Sequence, residues 1–316
     1  MRVLITGSGG FVGRTLTRHL QESAPEAALF GTQMPGAGDG PDGVTCYEVD
    51  LCRPAAVVEL IAEVRPDHIY HLAGQAFVPQ SFIDPWDTIE NNVRGQLNVI
   101  LACLKADIRP RLLITSSAEI YGEVKTFPTD ETTPLMPTSP YSVSKAAQDQ
   151  LAYQYFVSHD MPTLRIRAFN HIGPGQSDRF VAPAFAMQIA RIEAGLQEPV
   201  INVGDLTARR DFTDVRDVVR AYSLLMKHGV AGEAYNVASG VAHSIQHLLD
   251  MLVSLSSQRI EVRVDPNRLR PSPIPVLQGD ASKLRHATGW APQIPFESSL
   301  RDVLEDCRAR IRGEHA

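Results

Sequence analysis

The stretch RVLITGSGGFVGRTLTRHLQE, residues 2–22, decides the fold. Residues 2–6 are a short apolar run that stops at a glycine cluster, and beyond it Phe11, Leu16 and Leu20 recur at helical spacing. The reading is strand, tight turn, helix. Gly7, Gly10 and Gly13 stand three residues apart in that turn. Glycine lets the backbone turn sharply, approach a pyrophosphate and pack helix on strand, while the helix N-terminus favours the phosphate charge. A glycine-rich turn alone is a weak signal; in this context it predicts dinucleotide binding.

Working outward, further strand signals lie at 27–32, 44–51, 67–74, 111–117 and 163–169, with helical stretches near 54–64, 87–106 and 141–159. Strands alternating with helices predict an α/β fold, a Rossmann-type doubly wound parallel sheet. Regularity falls away after residue 169, and short helices near 180–195, 244–256 and 297–312 flank the proline-rich stretch 266–275. The segments 214–229 and 233–239 read as one more helix and strand returning to the main sheet. The expectation is a dinucleotide-binding domain of 1–168 plus about 212–240, and a smaller, discontinuous substrate domain of about 169–211 plus 241–316.

A formal charge of −6, with 44% hydrophobic and 21% charged residues, is ordinary for a soluble globular protein and offers no basic surface for nucleic acid or membrane. Cys46, Cys52, Cys103 and Cys307 show neither a C-x-x-C pair nor metal-ligand spacing, so they read as reduced thiols in a cytoplasm. His68 and His71, three apart on a strand, point to opposite faces, and no metal site is expected. The first residues enter a strand without a leader pattern, and no apolar run reaches membrane-spanning length.

The second strand ends in GTQMPGAG, which supplies neither an acid for a ribose 2′-hydroxyl nor an arginine for a 2′-phosphate, so NADH and NADPH both stay open. Asp50 and Leu51, ending the third strand, sit where an adenine can be held. Tyr141 and Lys145, four apart, share one helical face. A nearby ammonium stabilises tyrosinate and makes the phenol a better acid-base group. Ser117 ends the preceding strand, and Glu119 follows in SSAEIYG. A serine, tyrosine and lysine suit proton-coupled hydride transfer; a glutamate can also take a proton from carbon.

Together TGSGGFVG, HLAG, SSAEIYG, YSVSK and RDFTDVRD resemble an extended short-chain dehydrogenase/reductase. FNHIGPGQS (169–177), VGDLTARRDFTDVRD (203–217) and LRPSPIPVLQGDASKLRHATGWAP (269–292) narrow the likeness to its GDP-sugar branch, the 4,6-dehydratases and especially the 4-keto-6-deoxymannose reductases. The resemblance implies a catalytic set of Ser117, Tyr141 and Lys145, with Glu119 beside it. It also implies cofactor contacts from Gly7, Gly10, Phe11, Val12, Asp50, Leu51, Leu72, Ala73, Tyr141 and Lys145. Asn170, Arg210 and Arg270 are the implied diphosphate ligands, and arginine forks suit phosphate oxygens. A homodimer packed through helices near 91–105 and 141–158 is also implied.

Three positions depart from the pattern. Pro273 stands where an acid is common, Arg179 replaces a smaller residue, and Ala118 stands where the dehydratases carry a polar or acidic neighbour of the glutamate. The expected activity is therefore NAD(P)H-dependent reduction of a GDP-4-keto-6-deoxymannose to GDP-D-rhamnose. A dehydratase, a sugar-nucleotide 4-epimerase and a non-catalytic NAD(P)-binding protein are the rivals.

Overall fold

Seven strands pair in parallel to form the main sheet, because their apolar runs can be buried on both faces. A computed structural model describes residues 1–266 and 274–314. In chain order the strands are β1 (Arg2–Thr6), β2 (Ala28–Gln33), β3 (Thr45–Glu48), β4 (His68–His71), β5 (Arg111–Thr115), β6 (Thr163–Ala168), β7 (Asn170–Ile172), β8 (Val200–Val203), β9 (Arg209–Asp214), β10 (Ala234–Val237), β11 (Ala242–Ser244), β12 (Glu261–Val264) and β13 (Val276–Leu277). The main sheet runs β10-β6-β5-β4-β1-β2-β3. That is the doubly wound dinucleotide-binding order with a seventh strand added at β6.

The order reverses between β1 and β4, and the crevice at their carboxyl ends is where such sheets bind ligands. Strands stop earlier than the sequence suggests: β4 ends at His71 and β5 at Thr115, so Leu72, Ala73, Ser116 and Ser117 are freed into loops facing that crevice. The helix expected near 87–106 also differs. It starts at Pro85 and passes through a π-helical turn, Glu90–Arg94, before continuing as Gly95–Lys105. In that turn the buried Asn92 is held inside, where Nδ2 donates to Ser144 Oγ at 2.8 Å and Oδ1 accepts from the Gln75 amide at 2.7 Å. A π turn places one extra residue in the coil, a local adjustment common at functional sites.

Two apolar clusters cover the faces of the sheet, one including Val3, Leu16, Val218 and Tyr222, the other Leu4, Ile61, Ile100 and Leu112. A third cluster lies apart, built from Phe185, Ile189, Phe212, Leu248, Leu304 and neighbours. It is framed by the short strands, with β7, β11 and β13 all pairing to β9 and β12 pairing to β8. Among the described residues, no helix is long and apolar enough to cross a membrane, and no group of three or more His, Cys, Asp or Glu is placed to hold a metal ion.

Candidate active site

The glycine turn is shaped by contact rather than by flexibility alone. Gly7 adopts φ +70°, and a Cβ there would stand 3.0 Å from Ala73 Cα. A Cβ on Gly13 would meet the Gly7 carbonyl oxygen at 2.3 Å and the Ser8 Cα at 2.7 Å, so the first helix sits on the turn only because Gly13 lacks one. Gly10 caps that helix, Phe11–Ser23, without a side chain, leaving its first amides open. Thr6 joins the turn to β4: its hydroxyl accepts from the Leu72 and Ala73 amides at 3.1 and 3.2 Å and so donates to His71 Nδ1 at 3.0 Å. Burial and the Lys145 charge drive His71 down to about 3, and its ring is neutral.

Beside this turn lies a cavity of about 520 Å³ lined by Gly7, Gly10, Asp50, Leu51, Leu72 and Ala73 among others. Its shape and its exposed helix amides fit the adenosine and pyrophosphate of a dinucleotide. Leu51 is fixed by Asn98, whose amide donates to its carbonyl at 2.8 Å. At the end of β2, Arg14 donates to the Gly9 and Asp39 carbonyls at 2.9 and 3.0 Å, so a guanidinium borders the strand end that by sequence offered none.

A second cavity, about 770 Å³, continues from the same glycines and is lined by Phe11, Val12, Ser117, Glu119, Tyr141 and Asn170, together with Phe77, His171 and Arg179. The helix Pro140–His159 delivers Tyr141. It opens with a capping box, Ser139 Oγ accepting from the Ser142 amide at 3.0 Å and Ser142 Oγ from the Ser139 amide at 2.9 Å, with Pro140 in the first turn. A buried ion cluster clamps that helix to β6: Asp149 takes Arg165 Nη1 and Arg167 Nε, both at 2.9 Å. Arg167 also donates to the Tyr121 hydroxyl at 3.1 Å, which ties the SSAEIYG segment into the clamp.

Ser117 and Tyr141 both line this cavity. Burial, with the nearby Glu119 charge, raises the Tyr141 phenol well above its ordinary value, and the Ser117 hydroxyl opposes this in part. Lys145 is one turn along the same helix, but its Nζ donates to the Thr115 carbonyl at 2.9 Å, and burial brings the ammonium down to about 8. Glu119 sits in the short turn Ala118–Tyr121, where its amide donates to Ser117 Oγ at 3.2 Å. Burial raises its carboxyl above the usual range, with Arg210 opposing.

Asn170 and Arg210 lie on paired strands, with Asn170 on β7 opposite Phe212 on β9, two residues beyond Arg210. Arg210 stands back from the cavity wall, donating to the Arg209 carbonyl at 2.8 Å while its charge acts on Glu119. Arg270 and Pro273 lie outside the described residues. β13, which follows them, pairs with β9 beside Arg210. Sequence reasoning passed over His171, whose ring stacks with Phe11 at 6.2 Å, and Phe77. His171 stood inside a quoted motif; Phe77 carries no motif signal.

Comparison with known proteins agrees with this geometry. A family model described as GDP-mannose 4,6 dehydratase matches residues 4–303. A GDP-6-deoxy-D-mannose reductase from Pseudomonas aeruginosa is 37% identical over 99% of this chain and 99% of its own. Among solved structures, RMD from Pseudomonas aeruginosa complexed with NADPH superposes with a TM-score of 0.85 at 36% identity, covering 98% of this chain and 99% of that one. A UDP-glucose 4-epimerase from Thermus thermophilus in complex with NAD gives a TM-score of 0.87 at 30% identity, over 98% and 99% of the two chains. The chain belongs to the GDP-mannose 4,6-dehydratase family of extended short-chain dehydrogenases/reductases.

Proposed function

We propose that this protein reduces the C4 ketone of GDP-4-keto-6-deoxy-D-mannose with NADPH or NADH, giving GDP-D-rhamnose. A reduced nicotinamide bound along the glycine turn supplies the hydride. The chain's own part begins with Ser117, whose hydroxyl orients the ketone oxygen. Tyr141 donates its proton to that oxygen, and its raised pKa keeps the proton available across the neutral range. Lys145, one turn along the helix, supports the resulting charge on the phenol and is read as the ribose ligand. Asn170 and Arg210 hold the diphosphate, and Arg270 is read as their partner.

One observation favours reduction over dehydration. Elimination needs an ionised carboxylate at the sugar C5 and a helper for the leaving hydroxyl. Here the neighbour of Glu119 in the cavity wall is the buried, apolar Ala118, which cannot assist the leaving hydroxyl. Glu119 is a holder of sugar hydroxyls on this reading.

The division into a dinucleotide-binding unit and a nucleotide-sugar unit at the boundaries given above is part of the proposal. Supporting it, the third apolar cluster draws on residues from Ile172 to Phe212 and from Ile245 to Ile311, while Leu277 and Trp290 cross back to the sheet. A homodimer is supported by apolar side chains left exposed on the two implied helices, Leu101 on one and Val143, Tyr153 and Val157 on the other. Four free cysteines accord with a cytoplasmic location.

The test is product analysis. Given the 4-keto sugar nucleotide and a reduced nicotinamide, the protein is expected to yield GDP-D-rhamnose by nuclear magnetic resonance. The C4 epimer as sole product would overturn the assigned stereochemistry; recovery of unreacted ketone would overturn the activity.

A further inference from the structure

Arg179 is the one guanidinium, and Glu119 the one carboxylate, among the described residues that line the larger cavity. Its guanidinium lies over the Phe77 ring, 4.1 Å from the centroid, and no carboxylate pairs with it among the described residues. The ring is anchored. Phe77 donates its amide to Gln75 Oε1 and accepts at its carbonyl from Gln75 Nε2 at 3.1 Å, and Gln75 is itself held by Asn92 and Thr88. Phe180 meets the Phe77 ring edge-on at 5.9 Å.

The backbone carrying Arg179 is fixed as well. Its amide donates to Ser177 Oγ at 3.3 Å, the Phe180 amide to the Ser177 carbonyl at 3.1 Å, and the Gly175 amide to Asp306 at 3.0 Å. What remains free to move is the side chain, restrained by one cation–π contact at an exposed position. Such a contact is weaker than a forked guanidinium–phosphate pair. Phe11, Val12, Phe77, Phe169 and Phe180 make much of this wall apolar, so a diphosphate entering it needs charged donors in exchange for water.

We propose that Arg179 grips the diphosphate of the nucleotide-sugar substrate and rests on the Phe77 ring at the cavity mouth until that ligand arrives. This deepens the nucleotide-sugar reading and rests on it. Arg179 acts on binding, not on the reacting carbon. It leaves the ring for phosphate oxygens and so adds to the grip of Asn170 and Arg210.

Calorimetry on the full-length protein decides the matter, with GDP, GMP and NADPH titrated into the unmutated chain, Arg179→Met and Arg179→Lys. Met keeps the length of the stem, and Lys keeps the charge. Arg179→Met is expected to weaken GDP about ten- to a hundredfold, as for a lost charged hydrogen-bond pair, and GMP less. NADPH affinity should be unchanged, Lys should restore part of the loss, and the gap between Arg and Met should narrow as salt is raised. In turnover the Met variant should raise KM and leave kcat unchanged, because the contact is the same in ground and transition states.

GDP affinity equal in the Met and unmutated proteins would overturn the assignment while leaving the substrate reading intact. A loss confined to NADPH, or equal for NADPH and GDP, would overturn it too, placing the group at the cofactor or in the fold. An unmutated protein that binds no GDP would bring down both.

Discussion

Tyr141 and Ser117 both stand in the wall of the larger cavity, and the sharpest consequence at the residue scale falls on the phenol. Tyr141→Phe removes the proton donor while leaving the ring that packs there, so kcat should fall roughly 10²- to 10⁴-fold with NADPH affinity unchanged. Near-normal turnover would remove Tyr141 from the reaction. In the proposed reaction Lys145 sets the pH limit. Its ammonium titrates near 8 because burial disfavours the charge, so the charged form is present below that point and lost above it. The rate of ketone reduction by free enzyme should therefore decline as pH rises through about 8, and a profile flat well beyond it would contradict the role. Stability moves the other way: between about 8 and the ordinary 10.5 the unfolded chain holds a proton that the folded one has released, so Lys145's contribution to stability rises with pH across that window. For Glu119, replacement by Gln keeps shape and one acceptor oxygen, and the loss should be about tenfold or less. Solvent deuterium entering C5 from GDP-mannose, and vanishing in Glu119→Gln, would show an elimination base instead.

At the scale of elements, the glycine turn and the catalytic helix were legible before any coordinates, because each is written in local spacing: glycines at 7, 10 and 13, and Tyr141 one turn before Lys145 on a helix capped by Ser139 and Pro140. The π turn at Glu90–Arg94 was not, because its cause is tertiary. Asn92 turns inward to bond Gln75 and Ser144, partners far away in the chain. The same holds for Phe77, whose meeting with Arg179 joins two distant loops. Arg14 was hidden for another reason: it stands on the first helix, and its guanidinium reaches the end of β2 from there. Gly13→Ala tests the turn directly. Its new Cβ would fall on backbone atoms that no rotamer change can move, so the variant should lose about 1–3 kcal/mol in denaturant titration together with its NADPH binding. Unchanged binding would mean that the helix does not need to sit so close.

On the scale of the whole molecule, the doubly wound sheet brings the cofactor crevice and the larger cavity together at one edge, so hydride donor and ketone can meet over Tyr141. The proposed dimer belongs to this scale. Val157→Asp puts a charge on the exposed apolar helix face and should give a monomer by light scattering with an unchanged circular dichroism spectrum; a dimer surviving it would place the interface elsewhere. Net reduction consumes a reduced nicotinamide in every turnover. The most direct measurement follows nicotinamide absorbance while known amounts of GDP-4-keto-6-deoxy-D-mannose are consumed. One NADPH or NADH should be oxidised for each ketone lost, and repeated conversion of sugar with no net change in the nicotinamide would contradict net reduction.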